Sequence, residues 1–568
     1  MSSAVLPNKP VARTGASRLR VIAGIAVLVA LHGAALAVML WSEADPVSMA
    51  AFVFAWGVLN FLWLILLRRP APAAALSLIM IAVLILLSLY KYNLLMTTVS
   101  FADVMIVDAD TTAFLSEVFP DIERQVGLAA LILVPALLLI WWLDPFRCRL
   151  RTALLGSITC LALLVGLSLA LPYDREDEFE DHNFLSKFAR SGAVAAVDLL
   201  TRGVLESDQA VAGRLDTALD GECKPAAPLP NIVLIFDESS FDATMMPGTT
   251  VPADYHQHFR SFDGKERHFV VEGAGGPSWY TEYNVLAGLS ARSYGRFADS
   301  VTRLAAGRVG RGLPQSLRRC GYRTFSIYPY AGAFLGARNF QTTAGIEHFL
   351  DEKDLGTRRR QPDSFFYDHA ARLVAWERGH GPLFLFVYTS ANHVPWDQPF
   401  RPELTPEWRN PGNWFQIDEY LRRQQMSAHD YSQFVARLKR EYPDEPFLVV
   451  RFGDHQPAFA KFFIDRTLDP AQIRERIRQF DPRYFTTYYA IEPINFTPAD
   501  LSSALDTLDA PYLPLLVLEA AGVPLDSSFA EQKKILQRCQ GLFYLCAGGA
   551  ETRRFNRLLI DAGLIKGF

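Results

Sequence analysis

Five long apolar runs in the first third of the chain constrain its fold more than any other feature. They cover roughly residues 21–41, 47–67, 73–95, 126–142 and 152–172. Each is close to the roughly 20 residues a helix needs to cross a hydrocarbon core of about 30 Å. Apart from Lys91, near one end of the third run, their interiors hold no Lys, Arg, Asp or Glu. A charge at the centre of a spanning helix costs roughly 2.5–3.5 kcal/mol, so that absence is what a lipid environment demands. The first run is too long for a signal-peptide core and has no small-residue cleavage site behind it, so it is expected to remain as an anchor. His32, inside that run, is expected to be a neutral imidazole packed between helices.

The charges between the runs set an orientation. Lys9, Arg13, Arg18 and Arg20 precede the first run, Arg68 and Arg69 follow the second, and Arg147, Arg149 and Arg151 join the fourth to the fifth. The alternate connections carry Glu43 and Asp45, then Asp103, Asp108, Asp110, Glu117 and Asp121. Basic loops stay on the cytoplasmic side, so the N-terminus is expected inside and, after five spans, everything that follows outside, in the periplasm or at the cell exterior. Trp41, Trp141, Trp142 and Tyr173 lie at span ends, where an aromatic belt belongs.

At 568 residues the chain exceeds a single core. The reading is a five-span membrane domain over 1–175, a linker with helices over 176–229, beginning with the acidic segment 174–180, and a globular domain over 230–568. A net charge of −4 provides no basic field, and neither a P-loop nor a GxGxxG motif is present, so nucleic acid is not an expected partner. Of six cysteines, Cys148 and Cys160 fall in the apolar part. The other four permit three pairings, among them Cys539–Cys546 with Cys223–Cys320; four unpaired buried thiols are the alternative.

In the globular part, short apolar runs alternate with helical patterns. Strands are expected at 232–236, 268–271, 323–328, 383–388 and 447–452, and helices at 310–320, 362–377 and 417–442. Continuous Val, Ile, Leu and Phe content points to a mainly parallel sheet covered by helices on both faces. Sites in such folds gather beyond the carboxyl ends of the strands. Three strands there run into polar clusters: Asp237 and Glu238; Thr389, Ser390, Asn392 and His393; Gly453, Asp454 and His455. Two carboxylates, an imidazole and a hydroxyl suit one divalent cation such as manganese, zinc or magnesium, and a hydroxyl next to that cation would be acidified for attack.

These motifs resemble the lipoteichoic acid synthase family of phosphoglycerol transferases, within the alkaline phosphatase and sulfatase superfamily. The resemblance lies in the five-span architecture and most of 229–460. Asn231 to Ser239 is similar to the family's first strand, which ends in a metal-binding glutamate, here Glu238. Gly275 to Ser290 resembles its nucleophile segment, Arg338 ahead of Ala344–Asp351 its substrate-phosphate arginine, Ser390-Ala-Asn-His393-Val-Pro its substrate-binding histidine motif, and Phe452-Gly-Asp454-His455 its closing metal ligands. Lys91 to Asp103 is similar to its third-span exit. The family attacks with threonine; the aligned residue here is Ser278, which keeps the four-residue spacing to Glu282. Thr281 is the alternative nucleophile, unless it is the N-cap of a helix over 281–289. A formylglycine sulfatase is disfavoured, because Ser278-Trp-Tyr-Thr-Glu lacks the Pro/Ala and Arg of that motif.

The resemblance implies an alkaline phosphatase-like α/β fold and a membrane-anchored transferase. Glu238, Ser278, Asp454 and His455 would hold one metal, with manganese favoured, while Arg338 and His393 would bind substrate phosphate. The donor is then a phospholipid, phosphatidylglycerol ahead of phosphatidylethanolamine, and the acceptor an envelope glycan or polymer. Hydrolysis by a phosphodiesterase of the same fold, or glycan or lipid binding without catalysis, are the competing readings.

Overall fold

The structure is a computed structural model describing residues 15–95, 97–107, 121–171, 181–201, 203–208, 213–216, 220–357 and 359–566. Lys9, Arg13, Asp108, Asp110, Glu117, Pro172, Tyr173 and the acidic segment 174–180 lie outside the described residues.

Five helices correspond to the five apolar runs: α1 (Gly15–Ser42), α2 (Pro46–Leu67), α3 (Pro70–Leu95), α4 (Ile122–Leu143) and α5 (Leu150–Ala170). All five are long and apolar enough to cross a membrane. Lys91 is paired: its Nζ lies 2.8 Å from Asp103 and also donates to the Thr98 carbonyl at 3.0 Å. His32 Nδ1 donates to Leu28 O at 2.8 Å, one turn back on its own helix, and the ring meets Trp56 edge-on. Between α1 and α2, Asp45 caps α2 by accepting from Val47 N and Ser48 N.

A sixth helix, α6 (Phe184–Thr201), packs with the spans, burying Phe184 and Leu185 against Met39, Phe52, Ile81 and Ile85. The buried Glu43 accepts a 2.5 Å hydrogen bond from Ser186. Burial pushes its carboxyl up to about 7, against the lowering effect of that bond. The stretch 176–229 is therefore divided: α6 belongs to the compact unit of the spans, and the chain after it to a second unit.

The second unit is built on one eight-stranded sheet. Its strands are β1 (Asn231–Asp237), β2 (Arg267–Val270), β3 (Arg323–Ile327), β4 (His348–Leu350), β5 (Leu383–Tyr388), β6 (Phe447–Gly453), β7 (Thr486–Ile494) and β8 (Thr507–Asp509), in the order β4-β3-β5-β1-β6-β7-β2-β8. β7 is antiparallel to both β6 and β2, while every other pair is parallel, so one strand of eight is reversed. β7 carries Pro493 and Glu492 in its run, which weakens its signal as a strand. β4 and β8 are three residues long, too short to show a period.

Alternation along β1 sends Val233 and Ile235 to one face and Leu234 and Phe236 to the other, all buried. On the first face they meet α9 (Asp363–Glu377) and α10 (Phe415–Glu441) through Phe366, Val374, Phe434 and Leu438. Two further helices matter for the site: α7 (Ser278–Ala287) and α8 (Ala337–Thr343). Burial on both faces explains why the strand runs are continuously apolar.

Two disulfides close loops in this unit. Cys223–Cys320 spans a sequence separation of 97 with Cα atoms 5.1 Å apart, and Cys539–Cys546 spans 7. Cys148 and Cys160 are free thiols. Restricting the unfolded chain is worth about 4–5 kcal/mol for a loop of about 100 residues and less for a short one. Cys320→Ser should therefore lower the stability of the second unit by several kcal/mol, and Cys546→Ser by about half as much. Thermal and denaturant unfolding of each variant checks that ranking.

Candidate metal and nucleophile site

The register of two adjacent parallel strands creates the site. Asp237 pairs with Gly453, so the next residues, Glu238 and Asp454, leave β1 and β6 at the same level. Their approach requires Gly453, since a Cβ there would lie 1.7 Å from the Ser240 carbonyl oxygen. Ser239 adopts a left-handed φ of 53°, which costs on the order of 1 kcal/mol or more for a residue with a Cβ. In return its N–H donates to Asp454 Oδ1 at 2.6 Å and its hydroxyl to Glu238 Oε1 at 2.8 Å.

Glu238, Asp454 and His455 present ligand atoms within 4.8 Å of one another, all buried. His455 Nδ1 lies 2.8 Å from the Gln456 carbonyl, which can only accept, so Nδ1 carries a proton and, in the neutral imidazole, Nε2 is the lone pair. That Nε2 sits 3.3 Å from Asp454 Oδ2 and 3.6 Å from Glu238 Oε1. Glu238 Oε2 and Asp454 Oδ2 are buried with no hydrogen-bond partner among the described residues. Burial first, then the neighbouring Asp454 charge, pushes the Glu238 carboxyl well above its ordinary value. Asp454 is raised by burial in spite of His455 and Ser278. Two orphaned carboxylate oxygens beside an imidazole lone pair fit a divalent cation, which would neutralise the carboxylates and act as a Lewis acid.

Pro277 precedes α7, and Ser278 is its first residue. The Ser278 hydroxyl lies 3.1 Å from His455 Nε2, at the mouth of the cluster. Thr281 is not the N-cap of a helix over 281–289. It lies one turn inside α7, fully buried, with its hydroxyl donated to the Asp454 carbonyl at 2.7 Å. Glu282, one turn beyond Ser278, accepts from Gln341 Nε2 at 2.9 Å and ties α7 to α8. Burial raises its carboxyl to about 8.

The two expected phosphate ligands are placed differently. His393 Nδ1 faces the Val394 carbonyl at 2.8 Å, leaving Nε2 as a lone pair. Burial, with charge from His455, Arg360 and Arg423, lowers its pKa to about 4, so it is neutral at physiological pH. Arg338, on α8, donates to Asp351 at 2.7 Å, Asp354 at 3.2 Å and the Phe349 carbonyl at 3.1 Å. Its side chain is 45% exposed, and no contact joins it to the carboxylate cluster among the described residues.

Sequence reading also passed over a buried network on the opposite face. Asp237 accepts from His258 Nε2 at 3.1 Å and from the Tyr488 hydroxyl, while Arg451 Nη1 donates to His258 Nδ1 at 3.1 Å. Burial alone would raise Asp237; the bond from His258 and the Arg451 charge hold it below the ordinary value. The signal was Arg451 itself, a charge within an otherwise apolar strand.

Residues 281–479 match the family model described as sulfatase. The match includes Asp454 and His455 and begins three residues after Ser278. Among curated proteins, the capsular polysaccharide biosynthesis protein RkpI of Rhizobium meliloti is 30% identical over 204 residues, 34% of this chain and 35% of that protein. The chain spans only 38% and 35% of the lengths of the curated relatives it matches. Among solved structures, the lipooligosaccharide phosphoethanolamine transferase A of Neisseria meningitidis aligns with a TM-score of 0.45 at 12% identity, over 85% of this chain and 96% of that one. The phosphoglycerol transferase GacH of Streptococcus pyogenes aligns with a TM-score of 0.44 at 14% identity, over 62% and 93%.

Linkage gives a test of the metal reading. With metal absent, the raised Glu238 carboxyl holds a proton in the folded state that the unfolded state has lost. The folded state then loses stability as pH rises above 4.5, the ordinary glutamate value. Thermal melting of chelator-treated protein should fall between pH 5 and 8. Manganese or zinc at about 100 times Kd should restore about 2.7 kcal/mol, and Glu238→Gln or Asp454→Asn should abolish the metal response.

Proposed function

We propose that the protein is a membrane-anchored, metal-dependent transferase. It moves a phosphoglycerol group from phosphatidylglycerol to an envelope glycan or polymer through a covalent intermediate on Ser278. Phosphoethanolamine from phosphatidylethanolamine is the alternative group. The observation that carries this reading is the Ser278 hydroxyl, 3.1 Å from the His455 lone pair and beside two unpartnered buried carboxylates. A nucleophile placed against such a cluster is what phosphoryl transfer requires, because that chemistry depends on positioning and charge neutralisation.

Ser278 Oγ attacks phosphorus as its proton departs, the bond to the diacylglycerol oxygen breaks, and that oxygen takes up a proton as diacylglycerol leaves. An acceptor hydroxyl oxygen then bonds to phosphorus as it gives up its proton, the bond to Ser278 Oγ breaks, and Ser278 is reprotonated. His393, neutral with Nε2 as its lone pair, is suited to take the proton from that hydroxyl, a different role from donating to a phosphate oxygen. Arg338 can meet a phosphate through the half of its guanidinium that faces solvent. The likeness to a capsular polysaccharide biosynthesis protein supports an envelope polysaccharide as acceptor. Manganese is favoured because the two carboxylates suit a harder cation than zinc and the His455 imidazole a more borderline one than magnesium.

Location follows the same reading. The basic loops favour a cytoplasmic N-terminus in the inner membrane. Two disulfides favour an oxidising compartment for the second unit, as the periplasm or cell exterior provides. A lipid donor then lies in the bilayer to which the enzyme is tethered, which raises its effective concentration.

Metal-loaded full-length protein, mixed with vesicles of phosphatidylglycerol and phosphatidylethanolamine and trapped, should carry a phosphoglycerol adduct on Ser278 by peptide mass spectrometry. Ser278→Ala should lose roughly 10³-fold or more in diacylglycerol release. Phosphoethanolamine on Ser278 would change the group transferred. An adduct on Thr281 would overturn the nucleophile, and diacylglycerol release with no adduct and no need of a glycan would indicate a hydrolase.

A further inference from the structure

Arg338 is balanced by two carboxylates, but a second guanidinium near the site is not. Arg360, in the loop ahead of α9, donates to the His393 carbonyl at 2.5 Å and lies over the Phe400 ring at 4.1 Å. Among the described residues no carboxylate forms an ion pair with it. Its neighbour Arg423 donates to the same carbonyl but also to Glu419 at 2.7 Å, so that cation is compensated. Burial, and then the repulsion of Arg423, depress Arg360 to about 10, against the attraction of Glu419, a carboxylate already ion-paired with Arg422 and Arg423. A half-buried cation held in place by a neutral carbonyl retains its attraction for an anion.

The same corner holds an unused donor. The Tyr330 hydroxyl is buried without a hydrogen-bond partner among the described residues. Its ring packs 5.6 Å from His393 and 6.0 Å from Tyr388, and the Glu238 charge acts on both tyrosines. Burial, followed by the Glu238 charge, raises the Tyr330 hydroxyl well above its ordinary range, so it stays protonated and can only donate to an incoming anion. Buried hydroxyls are normally satisfied, and an orphan beside a candidate metal site calls for a ligand.

We propose that Arg360 and Tyr330 hold the non-bridging oxygens of the transferred phosphate, opposite the carboxylate cluster. The identity of that phosphate rests on the transferase reading; the anion site itself does not. Arg360 meets the charge already present in a phosphodiester, and so acts on binding. Tyr330 donates to an oxygen on which charge grows during attack, and so acts on turnover.

The test is calorimetric titration of inorganic phosphate into manganese-loaded full-length protein in detergent. Arg360→Gln should weaken phosphate about tenfold or more, Arg360→Lys less, and Tyr330→Phe by a few-fold, with melting temperatures unchanged. In diacylglycerol release from phosphatidylglycerol vesicles, Arg360→Gln should raise KM at near-constant kcat, and Tyr330→Phe should lower kcat at near-constant KM. Wild-type phosphate affinity in folded Arg360→Gln and Tyr330→Phe overturns the inference whatever the donor. If Arg360→Gln lowers the melting temperature, Arg360→Lys decides: affinity equal to wild type overturns the inference. Absence of any Ser278 adduct, with phosphate affinity still lost in Arg360→Gln, would sink the donor assignment and leave the anion site standing.

Discussion

Burying Glu238 and Asp454 side by side at the ends of two paired strands is the constraint on which the rest of the site depends. Neither carboxylate could bear this burial alone, since a desolvated anion costs several kcal/mol unless it is paired or coordinated. The protein fixes them with one left-handed serine, Ser239, and one glycine, Gly453, that admits the Ser240 backbone. It nonetheless leaves one oxygen of each unsatisfied. That arrangement is costly for an empty protein and favourable for one that presents two anions and an imidazole to a cation. Beside that pair, α7 holds the Ser278 hydroxyl 3.1 Å from His455 Nε2.

The opposite face of the same strand pair shows how the burial is made tolerable. Asp237, one residue before Glu238, meets His258, Tyr488 and Arg451, and so has the countercharge that Glu238 lacks. Alternation along a strand sends successive side chains to opposite faces. One face therefore carries an ionic network in which Asp237 has partners, linking β1 to β6 through His258, and the other a carboxylate pair open to chemistry. Helices then position the remaining groups. The Glu282–Gln341 bond couples the Ser278 helix to the Arg338 helix, and the carbonyl of His393 anchors both Arg360 and Arg423.

Much of this was legible in the residues. The spans were readable because lipid imposes a length and a polarity on every residue in them. β1, β5 and β6 were readable because burial on both faces leaves no polar position to blur the run. β7 was not, because Pro493 and Glu492 break its pattern, and the reversed strand is held by pairing on both sides. α6 read as linker because its sequence is amphipathic; only packing against Met39, Phe52 and Ile81 places it with the spans.

The sequence by itself determined which residue types arrive at the carboxyl edge of the sheet, since Glu238 and Asp454 directly follow β1 and β6, His455 comes next after Asp454, and His393 lies in the loop five residues beyond β5. Tertiary structure alone decided what those residues, and the others near them, are free to do. Ser278 meets a partner 177 positions away, Thr281 gives its hydroxyl to a carbonyl, Arg338 is held by Asp351 and Asp354, and Arg360 makes no ion pair among the described residues. Local periodicity records which face of an element is buried. It carries no trace of which buried groups find a hydrogen-bond partner from a distant part of the chain, and that pairing decides which charges remain available for chemistry.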